Sequence, residues 1–226
     1  MRWCIPPGEH LLFGPERGCA TFAQRLLEFN NASQILLNQA DDVLYVLSGR
    51  GEVMIGDEPD RFETGTAAYI PGGKPWQVLG ARNLRLLSVL ALNAEPGSAH
   101  AVIRAKAEVM GAATSGRSFR VLADPAVGCP NVTQFIGHVP PGRAPDHFHR
   151  YDEVIYILEG EGVLEIGGEQ AQLRPGTCIH LPRTVVHCLA NTGEDELRLL
   201  GVFTPAGSPA EAYYPDGTLA VLPERT

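Results

Sequence analysis

Apolar residues fall in short runs along this chain: "DVLYVLSG", "EVMIG", "EVIYILEG" and "VLEIGG", each closed by Gly or Asp or followed by a turn former. Runs of that length, rich in Val, Ile, Leu and Tyr, are strands joined by tight turns. Helical periodicity is nearly absent. Only "SAHAVIRAKAEVMGAA" (98–113) reads as a helix, and it lies between two strand-rich halves. The pattern predicts an all-β chain with a first domain over 1–95, a linker over 96–116 that carries this helix, and a second domain over 117–226.

The halves are copies of one unit. "DDVLYVLSGRGEVMIGD" at 41 matches "DEVIYILEGEGVLEIGG" at 152, and Gly49, Gly65 and Pro71 pair with Gly160, Gly176 and Pro182 at a constant offset of 111. "GCATFAQ" at 18 pairs with "GCPNVTQ" at 128, and "LRLLSV" at 84 with "LRLLGV" at 197. Features shared by both halves serve the fold, and features of one half alone are candidates for function. Tyr45 and Tyr156 are shared and read as structural, as do Cys19 and Cys129. Tyr69 stands at the place of His180, so His180 reads as a packing residue.

Composition narrows the partners. Apolar residues make up 44% of the 226, enough for a core, and the net charge is −8 without a basic run. Nucleic acid is therefore excluded as a partner. The first residues, "MRWCIPPGEHLLF", hold no apolar run of the length expected of a secretory signal, and no segment approaches the roughly 20 apolar residues of a membrane span. The expectation is a cytoplasmic protein without membrane contact, with a homodimer as a compatible assembly. The five cysteines are scattered, without CxxC, and read as reduced thiols.

One half carries chemistry that the other lacks. In "HFHRYDE", His147 and His149 are two apart and project to one face of an extended strand. Glu153 follows a short turn and can face the same space, and His187 follows "RPGTCIHLPRT". Three imidazoles and a carboxylate fill four positions of a divalent metal and leave two of an octahedral ion open. The corresponding residues of the first half are Leu36, Asn38, Asp42 and Trp76. These cannot hold a transition metal, and Trp76 is expected to fill the space with its ring.

"GRAPDHFHRYDEVIYILEG" resembles the first motif of the cupin family, and "GTCIHLPRTVVHCLAN" the second. The match runs through Gly142, His147, His149, Glu153, Gly160, Gly176, Pro182, His187 and Asn191, with fifteen residues between the motifs. Two loop positions depart from the pattern: four residues rather than five separate Gly142 from His147, and Thr184 replaces the usual Gly before the last His. The resemblance covers roughly 18–92 and 117–204, so the chain looks like a bicupin. It implies two tandem double-stranded β-helix (jelly-roll) barrels, with one divalent transition metal (Fe, Mn, Ni, Co, Cu or Zn) in the second.

The expected metal ligands are His147, His149, Glu153 and His187, with Glu153 doubling as a catalytic base. Gln134, Phe135, Ile155, Ile157 and Phe203 are the expected substrate-binding residues, while Phe148 points away. Similarity to quercetinase-like and oxalate-degrading cupins implies a dioxygenase-like oxidoreductase acting on a small organic substrate. A metal-dependent lyase, isomerase, cyclase or hydrolase is the first alternative, and a non-catalytic binding or sensing module the second.

Overall fold

The computed structural model describes residues 8–30, 34–55, 59–92, 94–95, 97, 102–104, 110–113 and 115–220. They form two compact units: residues 1–106 with 123–131, and residues 107–122 with 132–226. The first unit contains β1 (Glu9–Phe13), β2 (Phe22–Phe29), β3 (Gln34–Leu37), β4 (Asp41–Met54), β5 (Pro59–Glu63), β6 (Ala67–Ile70), β7 (Pro75–Ala91) and β8 (Val102–Arg104). The second contains β9 (Met110–Ala112), β10 (Ser118–Ala123), β11 (Thr133–Val139), β12 (Gly142–Arg143), β13 (Asp152–Glu159), β14 (Gly162–Ile166), β15 (Glu169–Leu173), β16 (Cys178–Leu181), β17 (His187–Asn191) and β18 (Leu197–Thr204).

The boundaries differ from the expected ones, since 123–131 join the first unit and the expected linker contributes a strand to each. No helix stands over the described part of 98–113. Strand β8 pairs antiparallel with β6, and β9 with β10. Pairing onto an existing strand satisfies a whole row of backbone groups, and that outweighs the weak helix preference of an Ala-rich run. The remainder of 98–113, and Cys4, lie outside the described residues. Cys19, Cys129, Cys178 and Cys188 are thiols.

In the second unit, one sheet runs β16-β13-β18-β11-β10-β9 and the other β12-β17-β14-β15. Their inner faces share one core, with Ile155, Ile157, Leu199 and Phe203 from the first sheet meeting Leu164, Leu173 and Leu189 from the second. In the first unit, β4 and β7 run through both layers, so its eight strands form a single bent sheet. Bulges between Val46 and Glu52 turn β4 at the corner. Leu44, Val46, Val53, Phe62, Trp76 and Leu86 fill that core.

The two units repeat their register as well as their sequence. Asp42 pairs with Ile70 and Leu90, and Glu153 pairs with Leu181 and Phe203. Leu36 lies opposite Trp76, as His147 lies opposite His187. Gly49 (φ 81°) and Gly160 (φ 83°) sit at the corners. A Cβ would lie 2.1 Å from the Asn83 carbonyl oxygen at Gly49 and 2.7 Å from the Leu197 Cα at Gly160. Both the left-handed backbone and the crossing strand therefore demand glycine.

Candidate metal centre

The segment 147–149 is held from both sides. His147 and His187 exchange backbone hydrogen bonds of 3.0 and 2.8 Å, and Phe148 and Tyr213 exchange two of 2.9 Å. Alternation then sends His147 and His149 to one face and Phe148 to the other, where its ring stacks on Tyr213. The His149 carbonyl accepts from the Thr184 N–H at 2.7 Å. Thr184 takes φ 64°, and its counterpart Gly73 takes φ 77° with the same hydrogen bond, to the Asn38 carbonyl. A β-branched residue in that region is strained by roughly 1–2 kcal/mol.

His147, His149 and His187 bring one ligating nitrogen each to within 4.8 Å of one another. The Nδ1 atoms of the three rings lie 2.8, 2.8 and 2.9 Å from the carbonyl oxygens of Pro145, Glu211 and Val185, respectively. A carbonyl only accepts, so each Nδ1 carries the proton and each Nε2 offers a lone pair. Burial lowers all three pKa values, to about 3 for His149 and about 4 for His187, and repulsion from neighbouring rings adds to the shift of His149 and His187. Neutral, oriented imidazoles whose second nitrogen is tied to backbone are the donor set a divalent transition metal takes.

These rings line a cavity of about 90 Å³ together with Arg117, Phe119, Phe135, Tyr151, Glu153 and Ile155. Glu153 is buried, and burial alone pushes its pKa up to about 8. The Tyr151 ring stacks on His149 at 4.6 Å between centroids, and on Phe203 at 3.9 Å. Burial, then the nearby Glu153 and Glu211 charges, hold its phenol well above the ordinary value.

Several expected residues stand elsewhere. Glu153 shares the cavity with the histidines, yet its carboxylate lies outside the three-histidine group. It projects toward Gly201, where an added Cβ would come within 2.9 Å of its Oε1. Phe135 and Ile155 line the cavity, but Gln134, Ile157 and Phe203 do not. Gln134 alternates with Phe135 and so faces the other side of β11. Ile157 shares the face of Ile155 but is fully buried, one step deeper in the core. Phe203 is covered by the Tyr151 ring. His180 is half-buried and outside the histidine group. Tyr151, Arg117 and the segment around Glu211 were not among the expected residues. Tyr151 sits two residues beyond His149 and two before Glu153, which was a usable signal; the bend at Arg150 and Tyr151 interrupts the alternation and hid its facing.

The corresponding place in the first unit is closed by a cation from the chain itself. Arg25 donates to Asp42 at 3.0 Å, Glu9 at 3.1 Å, Asn38 at 3.5 Å and Ser88 at 2.7 and 3.2 Å. Asn38 and Ser88 in turn donate to Asp42 at 2.8 and 2.7 Å. Asn38 and Asp42 are the counterparts of His149 and Glu153. The guanidinium occupies the ground an organic ligand would need, and Trp76, 1% exposed, fills the place of His187.

Residues 135–203 match the family described as "Cupin domain". A mutant of Bacillus subtilis oxalate decarboxylase superposes over 88% of this chain and 72% of its own with a TM-score of 0.69, at 15% identity. Residues 135–203 thus carry a cupin domain, and the chain shares its fold with cupin proteins. Among the relatives, L-ectoine synthase of Aliivibrio fischeri is 32% identical over 77 residues, 34% of this chain and 60% of the synthase. Quercetin 2,3-dioxygenase of Bacillus subtilis is 34% identical over 64 residues, 28% of this chain and 19% of the dioxygenase. The matches span less than two thirds of these relatives' lengths. Among the described residues, no helix is long and apolar enough to cross a membrane.

Proposed function

We propose that this chain is a bicupin enzyme whose second barrel works on a small organic molecule at a divalent transition metal, while the first barrel is a scaffold. The observation that carries the proposal is the convergence of three imidazoles, one ligating nitrogen each, on the wall of a largely apolar cavity, with every Nδ1 tied to a backbone carbonyl. His147, His149 and His187 would hold the ion, with Glu153 as fourth ligand once ionised. A metal bound there supplies Lewis acidity and, if redox-active, oxygen chemistry. Phe119, Phe135 and Ile155 keep water from the substrate. Backbone carbonyls fix the rings, so little reorganisation is needed.

An oxidative, dioxygenase-like reaction is the first reading, in keeping with the quercetin dioxygenase similarity. A non-oxidative lyase, isomerase, cyclase or hydrolase is the second. Burial raises the Glu153 pKa to about 8 in the metal-free site, so a carboxyl released from the ion would hold a proton at neutral pH and could pass it to or take it from a substrate atom. Oxygen uptake during turnover of a panel of small acids and phenols separates the two. Consumption of substrate without oxygen uptake rejects the oxidative reading, and binding without turnover of any panel member rejects both.

A further inference from the structure

We propose that Arg117 anchors a carboxylate or another oxyanion of the substrate, so that this site takes small acids rather than neutral molecules. The proposal rests on the metal assignment above and adds the substrate class. Arg117 lines the same cavity as the three histidines. Its Nη2 donates to the Leu189 carbonyl, which fixes the guanidinium plane. Among the described residues, no carboxylate forms an ion pair with it. Arg85, Arg183 and Arg198, by contrast, each pair with one carboxylate, and Arg25 and Arg143 with two.

Burial disfavours the charged form of Arg117, so it stands partly out of water without a counterion. A guanidinium has five N–H groups, and among the described residues that of Arg117 makes one hydrogen bond, to the Leu189 carbonyl. The others suit bidentate recognition of a planar oxyanion. Adding a divalent cation leaves the cavity net positive even with Glu153 ionised, so an anion completes the balance. The volume of about 90 Å³ falls well below the roughly 300–1,000 Å³ of drug-sized sites, so the acid is small. The internal copy supports a functional role too: the offset of the flanking repeat places Pro7, not an arginine, at the corresponding position.

The test is calorimetric titration of malonate, with malonamide as the uncharged control, into the full chain loaded with Mn²⁺. Wild type, Arg117→Gln and Arg117→Lys are compared, and metal content is measured after each titration. Wild type should bind malonate and discriminate against malonamide. Arg117→Gln should weaken malonate about tenfold to a hundredfold, the loss of charge-assisted hydrogen bonds, with metal content unchanged. Arg117→Lys should fall between, and it decides the matter if the glutamine variant does not fold. Equal malonate affinity in wild type and the variants, no malonate binding by loaded wild type, or equal binding of malonamide would overturn the proposal. Wild type that takes up no Mn²⁺ would overturn the metal assignment instead. Malonate titrated into metal-free wild type and Arg117→Gln then still reads the anchor: a difference keeps it, and equality removes it.

Discussion

Arg25→Met tests whether the first unit replaces a metal by its own guanidinium. The substitution keeps most of the unbranched stem but takes the cation away from Asp42, which is 0% exposed. Asn38 and Ser88 still donate to the carboxylate, so it loses one charge-assisted partner out of three. Breaking a buried pair on one side costs about 3–5 kcal/mol. Protonation of Asp42 caps this loss. Burial already pushes its pKa up, against the pull of Arg25. Holding the proton at pH 7 on a group with an unfolded pKa near 3.9 costs about 4 kcal/mol, and about 1.5 kcal/mol at pH 5. The raised folded pKa means that stability is lost as pH rises above the unfolded value. The deficit should therefore be about 3–4 kcal/mol at pH 7 and less than half that at pH 5. Trp76 belongs to the first unit and the sequence of the second has no tryptophan, so urea unfolding followed by tryptophan emission reads the first unit. Arg25→Met with Asp42→Leu should regain most of the loss. A deficit under 1 kcal/mol, or one equal at both pH values, refutes the argument.

Three further outcomes follow from the same geometry. Thr184→Gly should raise stability by about 1 kcal/mol, because glycine takes φ 64° without strain, and thermal unfolding of the metal-free protein checks it. Trp76→Ala should cost about 3–5 kcal/mol while metal content stays the same, measured by urea unfolding and elemental analysis. The metal-free protein should be most stable near pH 6.5. Below that, histidines whose folded pKa values are depressed toward 3 and 4 lose their contribution as they are forced to charge. Above it, Glu153, raised to about 8, costs up to about 2 kcal/mol by pH 8, because the unfolded chain has already released that proton. Glu153→Gln should abolish the alkaline decline, and added metal should suppress it in wild type.

Much of the site was legible because the chain carries its own control. The offset of 111 set His147 against Leu36 and His187 against Trp76, and both pairs share one register in the strands. Alternation from Glu153 set Ile155 on the face that lines the cavity, while the facing of Phe135 stayed open until the fold was known. It did not place Ile157, because period two gives a face and not a depth. Nor did it place Phe203, whose facing depends on which ring covers it. Glu211 and Arg117 were out of reach: both stand in segments without strand periodicity or a counterpart motif, and only tertiary contact brings them to the histidines. The Arg25 network was hidden for a related reason, since its members come from four strands. The expected helix over 98–113 failed where edge pairing overrode local propensity.

The central claim is that His147, His149 and His187 hold one transition metal. Elemental analysis of the full chain purified without added metal, beside His149→Ala prepared in the same way, tests it most directly. About one divalent transition metal per chain in wild type and less than about a tenth of that in the variant is the expected result. Equal metal in both, or no metal in wild type even after incubation with Mn²⁺, Fe²⁺, Ni²⁺ and Zn²⁺, would contradict it.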